Sequence, residues 1–327
     1  GTFLIGKKTF NGAKGGPMVY LTLVPGGKFL PFVFMFFMLL YGLSSGNAMQ
    51  TNSMGLGIFT TWGVSPWITA FVLLAFLAYV ILGGADRVLK ISDKLVPFKV
   101  GVFFLASFIV LIYHYASLWP AIKLIFESAF SIKALGGALT GVTIQAAIRN
   151  GLSRSLNAHE AGLGVAPIFF GESGTKKPIE TSILSMVGAF ISTYLVCFIV
   201  ALSVVASGVW SSGLSSTALT VSAFNTVFGN YGGWVVTFCS ASFGLGVLVA
   251  FSLVAKESWS FLTGGRWLLL FNIIYCLIAF GGTLAKVDLI WAVNDVVNGL
   301  MLLINLYAIT WLMPIIRKAI LEYNKKH

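Results

Sequence analysis

Charge is what this sequence lacks most. Only 9% of its 327 residues are charged, while 57% are hydrophobic. Soluble domains carry about 25% charged residues, so a water-soluble protein of this size could not cover its surface. Lipid must be the solvent for most of the chain. Histidine is scarce too: His114, His159 and His327 are too few and too scattered for a metal site, and HEAGL at 159–163 lacks the second histidine of a zinc-protease helix. Cys197, Cys239 and Cys276 all fall inside apolar runs, where they read as small buried hydrophobes and imply no disulfide framework. No G-x-S-x-G or phosphate-loop string occurs, and no nucleophile is paired with a base. Neither an enzyme nor a cofactor is expected.

What is present is a succession of apolar runs, each long enough (roughly 17 residues or more) to cross a hydrocarbon core of about 30 Å as a helix. Such repetition excludes a signal peptide followed by a soluble domain. The expected crossings are 29–52, 65–84, 97–118, 138–171 (interrupted), 182–207, 233–255, 267–285 and 289–313, about eight in all. Gly83-Gly84, Pro97, Pro120, Gly136-Gly137, Lys177-Pro178 and Gly264-Gly265 punctuate the connections. Segment 120–135 is too polar to span and reads as an amphipathic helix at the interface.

A net charge of +11 could suggest nucleic acid, but the basic residues sit between the apolar runs, as in cytoplasmic loops. With both termini cytoplasmic, 16 of the 21 Lys and Arg residues fall on the inner side, Lys99 among them. Lys123, Lys133 and Lys286 remain outside, and Arg149 and Arg154 lie within the interrupted segment. That asymmetry sets the orientation and places the chain in the cell membrane as a multi-pass protein. Nucleic acid is not an expected partner; the lipid bilayer is. The outer stretch 208–232 has no ionisable residue and reads as a loop.

The informative stretch is 149–171, RNGLSRSLNAHEAGLGVAPIFFG. Gly162, Gly164 and Pro167 fall together where a helix should otherwise cross. Glycine weakens a helix and proline removes a backbone donor. Irregular backbone at membrane depth is tolerated only where it lines a cavity or is buried in protein. A broken helix there offers free N–H groups to a substrate carboxylate and free carbonyls to a cation. The competing reading is a plain loop, although 172–180 already supplies a turn. Arg149, Arg154 and Glu160 are costly inside a membrane and suggest function; mutual pairing or a headgroup position is the alternative for the arginines. GNAMQTNS at 46–53 puts Asn47 and Gln50 on one helical face, and WAVNDVVNGLM at 291–301 does the same for Asp295 and Asn298. Gly42/Gly46 and Gly137/Gly141 are small-xxx-small pairs that read as packing.

At AKGGPMVYL (13–21), SSGNAMQTNS (44–53), VILGGADRVLKISDKLVPF (80–98), AIRNG…SR…HEAGLGVAPI (147–168) and VNDVVNGLM…NL (293–306) the chain resembles the alanine or glycine:cation symporter family. The resemblance runs in family order over essentially the whole chain. It implies an all-α polytopic membrane protein with a leucine-transporter-like inverted-repeat fold. Residues 1–327 would be a single transmembrane transporter domain, with 29–118 the rest of a first repeat and 138–313 a second repeat. The first two or three family helices would be missing, so the chain is expected to be part of a longer protein. Implied too is a secondary active transporter that imports a small neutral amino acid with Na⁺ by alternating access. Substrate residues carried over are Gln50, Asn157, His159, Glu160, Ala161, Gly162, Val247 and Phe251; ion-binding positions are Gly246 and Val247.

The chain also departs from that family. Asn157-Ala158-His159-Glu160-Ala161-Gly162 stands where relatives read F-S-N-E-A-G, Gly246-Val247 where they have Ser-Thr, Phe251 for Trp, and Val165 for Ser. Losing hydroxyls suited to Na⁺ suggests weakened or altered coupling, with His159 able to serve a proton-linked variant. A non-coupled or proton-linked carrier, or a non-transporting membrane scaffold, is the alternative. The substrate stays open among alanine, glycine, serine and their D-forms, as does the oligomeric state.

Overall fold

A computed structural model describes residues 15–81, 85–130, 138–172 and 178–324. All regular secondary structure among these residues is helical. The connectors expected at Gly83-Gly84, Gly136-Gly137 and Lys177, and the tail of segment 120–135, lie outside them.

After a short α1 (Pro17–Tyr20), α2 (Leu30–Leu43) and α3 (Met49–Trp62) run as one 33-residue helix joined through a π segment, Ser44–Ala48. Wide π turns commonly mark functional positions in helices. Gly63 closes α3 in the left-handed conformation, its N–H bonded to the Phe59 carbonyl. Next, α4 (Pro66–Tyr79) starts on a proline, suited to a first turn where its missing N–H costs nothing. Then α5 (Ala85–Tyr113) and α6 (Tyr115–Phe130) follow, and the part of α5 beyond Pro97 turns through 94° into α6. The helix expected to lie at the interface is therefore set nearly at right angles to its neighbour, and begins five residues earlier than position 120. Beyond it come α7 (Ala138–His159) and α8 (Ala166–Glu172), then α9 (Pro178–Phe190) and α10 (Phe198–Ala206) joined by a second π segment, Ile191–Cys197. The last four are α11 (Ser216–Phe228), α12 (Tyr231–Thr263), α13 (Leu268–Leu284) and α14 (Val287–Asn324).

Two sequence expectations need correcting. Stretch 208–232 is not a plain loop, since it holds α11, whose Val221, Ala223 and Phe224 pack on Val110 and Val236. An uncharged stretch that mixes Ser, Thr, Ala and Val hides such a helix because it shows only a weak 3.6-residue signal. Lys99 does not sit in an inner loop: it lies within α5, 2% exposed, and its ammonium donates to the Ser242 carbonyl of α12 at 3.0 Å.

Long α12, 33 residues or about 50 Å at 1.5 Å per residue, is the post around which α2, α3, α5, α11 and α13 are arranged. Close approach to α2 depends on glycine. A Cβ on Gly42 would stand 2.9 Å from the Ala255 Cβ, and one on Gly46 only 2.3 Å from Phe251. The Gly42/Gly46 pair is thus a packing device. Of the other pair, Gly137 is outside the described residues.

Among the described residues four helical stretches are long and apolar enough to cross a membrane: Leu30–Trp62, Ile179–Ala206, Tyr231–Thr263 and Val287–Tyr323. The bent pair Pro97–Tyr113 and Tyr115–Ala129 would make a fifth, and α4 and α13 are shorter apolar helices. Large apolar side chains such as Trp67, Phe71, Leu269 and Leu303 stand exposed at 58%, 59%, 74% and 66%. Water would not tolerate so many; hydrocarbon does.

Candidate substrate and ion site

Helix stops at His159 and resumes at Ala166, so the break expected between Glu160 and Gly164 is present. Its backbone is unusual at three positions. Glu160, Gly162 and Gly164 take φ of 50°, 81° and 76°, and for a glutamate such a value is strained. The break is not surface loop: Leu163 and Val165 are fully buried, in one core with Tyr20, Met38 and Met301. Among the described residues, neither the Gly162 nor the Gly164 amide has a hydrogen-bond acceptor. Peptide groups left free inside protein are the feature that suits a zwitterion or an ion.

Three side chains hold the break open. Tyr41 Oη donates to Glu160 Oε1 at 2.8 Å. Asn305 Nδ2 donates to the Gly162 carbonyl at 2.6 Å, and its Oδ1 accepts from Tyr20 Oη at 2.5 Å. Apolar walls close the surroundings. Phe251 meets Tyr41 and Phe169 edge to face, with ring centroids 5.7 and 5.9 Å away. Leu302 covers Gly162 so closely that a Cβ there would come within 2.8 Å of Cδ1.

The expected site residues divide. Glu160, Ala161, Gly162 and Phe251 are gathered around the break through Tyr41. His159 caps the end of α7: its Nδ1 accepts from the Ala161 N–H at 3.1 Å, and Nε2 lies 3.2 Å from Ser155 Oγ. Asn157 Oδ1 accepts from two α14 amides, Asn294 Nδ2 at 2.7 Å and Asn298 Nδ2 at 2.9 Å, while its own Nδ2 donates to the Ser153 carbonyl. Gln50 Nε2 donates to the Ser45 carbonyl in the π segment. Asn47, at the π segment, donates to the Tyr275 carbonyl of α13. Gly246 and Val247 lie in unbroken α12, half-buried, and bring no side-chain oxygen; Val247 packs on the core shared with Phe251.

Pairing accounts for Arg154. Its guanidinium bonds Asp295 Oδ1 at 2.9 Å and lies over the Trp291 ring, 3.5 Å from the centroid. Ser153 Oγ donates to the same carboxylate oxygen. Arg149 is exposed.

Tyr20, Tyr41, Asn294 and Asn305 were not picked out by sequence reasoning. The asparagines carried a signal: Asn294, Asn298 and Asn305 fall at spacings of four and seven on one face of an otherwise apolar helix, and are 0%, 1% and 2% exposed. The tyrosines carried none, since a tyrosine in an apolar run reads as core.

A bundle of long apolar helices packed on α12, with one further helix broken between His159 and Ala166, is that of a polytopic membrane protein. The chain belongs to the sodium:alanine symporter family, whose model matches residues 5–327. It is similar to the sodium/alanine symporter AgcS of Methanococcus maripaludis, 33% identical over 319 residues, covering 95% of this chain and 69% of that protein. It is also similar to the amino-acid carrier protein AlsT of Bacillus subtilis, 28% identical over 324 residues, covering 96% and 66%. With the "Probable sodium/glutamine symporter GlnT" of that organism it shares 27% over 326 residues, covering 98% and 66%. The chain spans about two thirds of the length of these relatives. The family is one of transporters and not of enzymes.

Proposed function

We propose that this protein carries a small neutral amino acid across the cell membrane together with Na⁺, by alternating access around the Glu160–Val165 break. The observation that carries the proposal is the break itself, non-helical, buried from Leu163 to Val165 and held by Tyr41, Asn305 and Tyr20. Free amides at Gly162 and Gly164 suit a substrate carboxylate, and the Glu160 carboxylate suits its ammonium. Small Ala161 and Gly162, closed in by Leu302, favour a small substrate such as alanine or glycine. Names borne by relatives, sodium/alanine and sodium/glutamine, support sodium and an amino acid and differ in which one. In this scheme Gln50, Asn157 and His159 hold backbone and neighbouring amides in place, and Val247 is wall.

The same proposal takes eight crossings in the leucine-transporter-like arrangement, with α4 and α13 as short spans and α7–α8 as a broken one. Both termini would be cytoplasmic, by the distribution of Lys and Arg. Rocking of one helix group about the break would expose it to each side in turn. The test is uptake of labelled alanine into proteoliposomes under a Na⁺ gradient. Uptake that saturates and collapses when choline replaces Na⁺ is expected; sodium-independent uptake would reject the coupling, and no saturable uptake would reject the carrier.

A further inference from the structure

Asn157 does more than tie α7 to α14. A side-chain amide whose nitrogen is held must turn its oxygen the other way, and Asn157 Oδ1 holds the nitrogens of Asn294 and Asn298 together. Both amide oxygens on α14 are thereby oriented by one atom. Asn294 Oδ1 then meets Ser44 Oγ at 3.4 Å, long for a hydroxyl donor. That hydroxyl is also 3.5 Å from the Tyr41 carbonyl, and one proton cannot serve both. Asn298 Oδ1 has no donor at all among the described residues, although the side chain is 1% exposed. Ser44 and Asn294 are 8% and 0% exposed.

Buried acceptors without donors are rare in native proteins, because they lose water and gain nothing. An amide oxygen with no donor, one turn along α14 from an amide oxygen held only by a long hydroxyl contact, offers ligands suited to a hard cation. Charge agrees. Tyr41, one turn before Ser44 on the same helix, holds the Glu160 carboxylate. Arg154, one turn before Asn157, is already committed to Asp295. The π turn at Ser44–Ala48 supplies the local irregularity that such sites use.

We infer that Ser44, Asn294 and Asn298 form a site for a monovalent cation of sodium size, with Asn157 as its positioning residue. Resting on the sodium symport proposed above, this assigns the coupling ion to the junction of the π segment and α14 instead of Gly246-Val247. Neutral oxygens carry too little charge to strip a divalent ion of its water. Ion occupancy there would draw α14 and the π segment together beside the break, and so link ion binding to the shape of the substrate pocket.

The test is binding of radiolabelled sodium to the purified protein without amino acid, read alongside sodium-induced thermal stabilisation. Asn298→Leu should weaken sodium binding about tenfold and Ser44→Ala about threefold, while Asn298→Asp, which keeps an oxygen and adds charge, should bind at least as well as wild type. Unchanged sodium affinity in Asn298→Leu, or in Ser44→Ala should the leucine variant misfold, would show that the oxygens hold only water and overturn the site. That result would leave sodium-driven uptake by the wild type standing. A wild type with neither sodium binding nor sodium-dependent uptake would overturn site and symport alike.

Discussion

Tyr41 and Glu160 lie 119 positions apart and meet at 2.8 Å, the phenol donating to the carboxylate. This contact fastens the start of the break to α2, the helix most closely packed on α12, and gives a strained glutamate a fixed partner.

Tyr41→Phe keeps the ring against Phe251 and removes the donor. Losing a hydrogen bond to a charged group costs about 1.5–3 kcal/mol. The expected outcome is a fall in apparent amino-acid affinity on the order of tenfold, measured by concentration-dependent uptake, beside a lowered melting temperature.

Gly162→Ala and Gly164→Ala should each destabilise the protein by about 1–3 kcal/mol, since each residue has φ near 80° and a crowded Cβ position. The two differ in what is struck: Leu302 Cδ1 at 2.8 Å for Gly162 and Phe34 Cζ at 2.7 Å for Gly164. Adding Leu302→Ala should recover part of the loss in Gly162→Ala and none in Gly164→Ala, as thermal melts of the four variants would show.

Arg154→Lys keeps the charge opposite Asp295 but loses the planar face over Trp291. Lysine should therefore behave nearly like alanine at this position. Because the pair is 39% and 23% exposed, an Arg154/Asp295 double-mutant cycle should return a coupling of about 1 kcal/mol or less.

His159→Asn, which can still accept from the Ala161 amide, should match wild type in stability, whereas His159→Ala should lose about 0.5–1.5 kcal/mol. Both should retain sodium-dependent uptake. Uptake driven by a proton gradient, and lost in both variants, would instead favour the proton-linked carrier.

Legibility followed the kind of interaction. Gly162, Gly164 and Pro167 betrayed the break because their conformational costs are local and act wherever the chain runs. Small residues at 42 and 46 announced close packing for the same reason. Arg154 could not be resolved as functional or paired, since its partner lies 141 positions away on α14. Asn47 and Gln50 sit three apart, yet their partners, the Tyr275 and Ser45 carbonyls, could not be read from spacing. Helix α11 was not read from the sequence because its mixture of small polar and small apolar residues shows no clear stripe.

By itself the sequence determined the solvent, the helical class, the site of the break and the family, for these follow from hydropathy, from glycine and proline, and from short motifs. Only the tertiary structure decided which polar atoms meet there. Tyr20 with Asn305, Tyr41 with Glu160, and Asn157 with two asparagines are contacts between distant segments. Their geometry depends on how helices pack, and no local pattern encodes that.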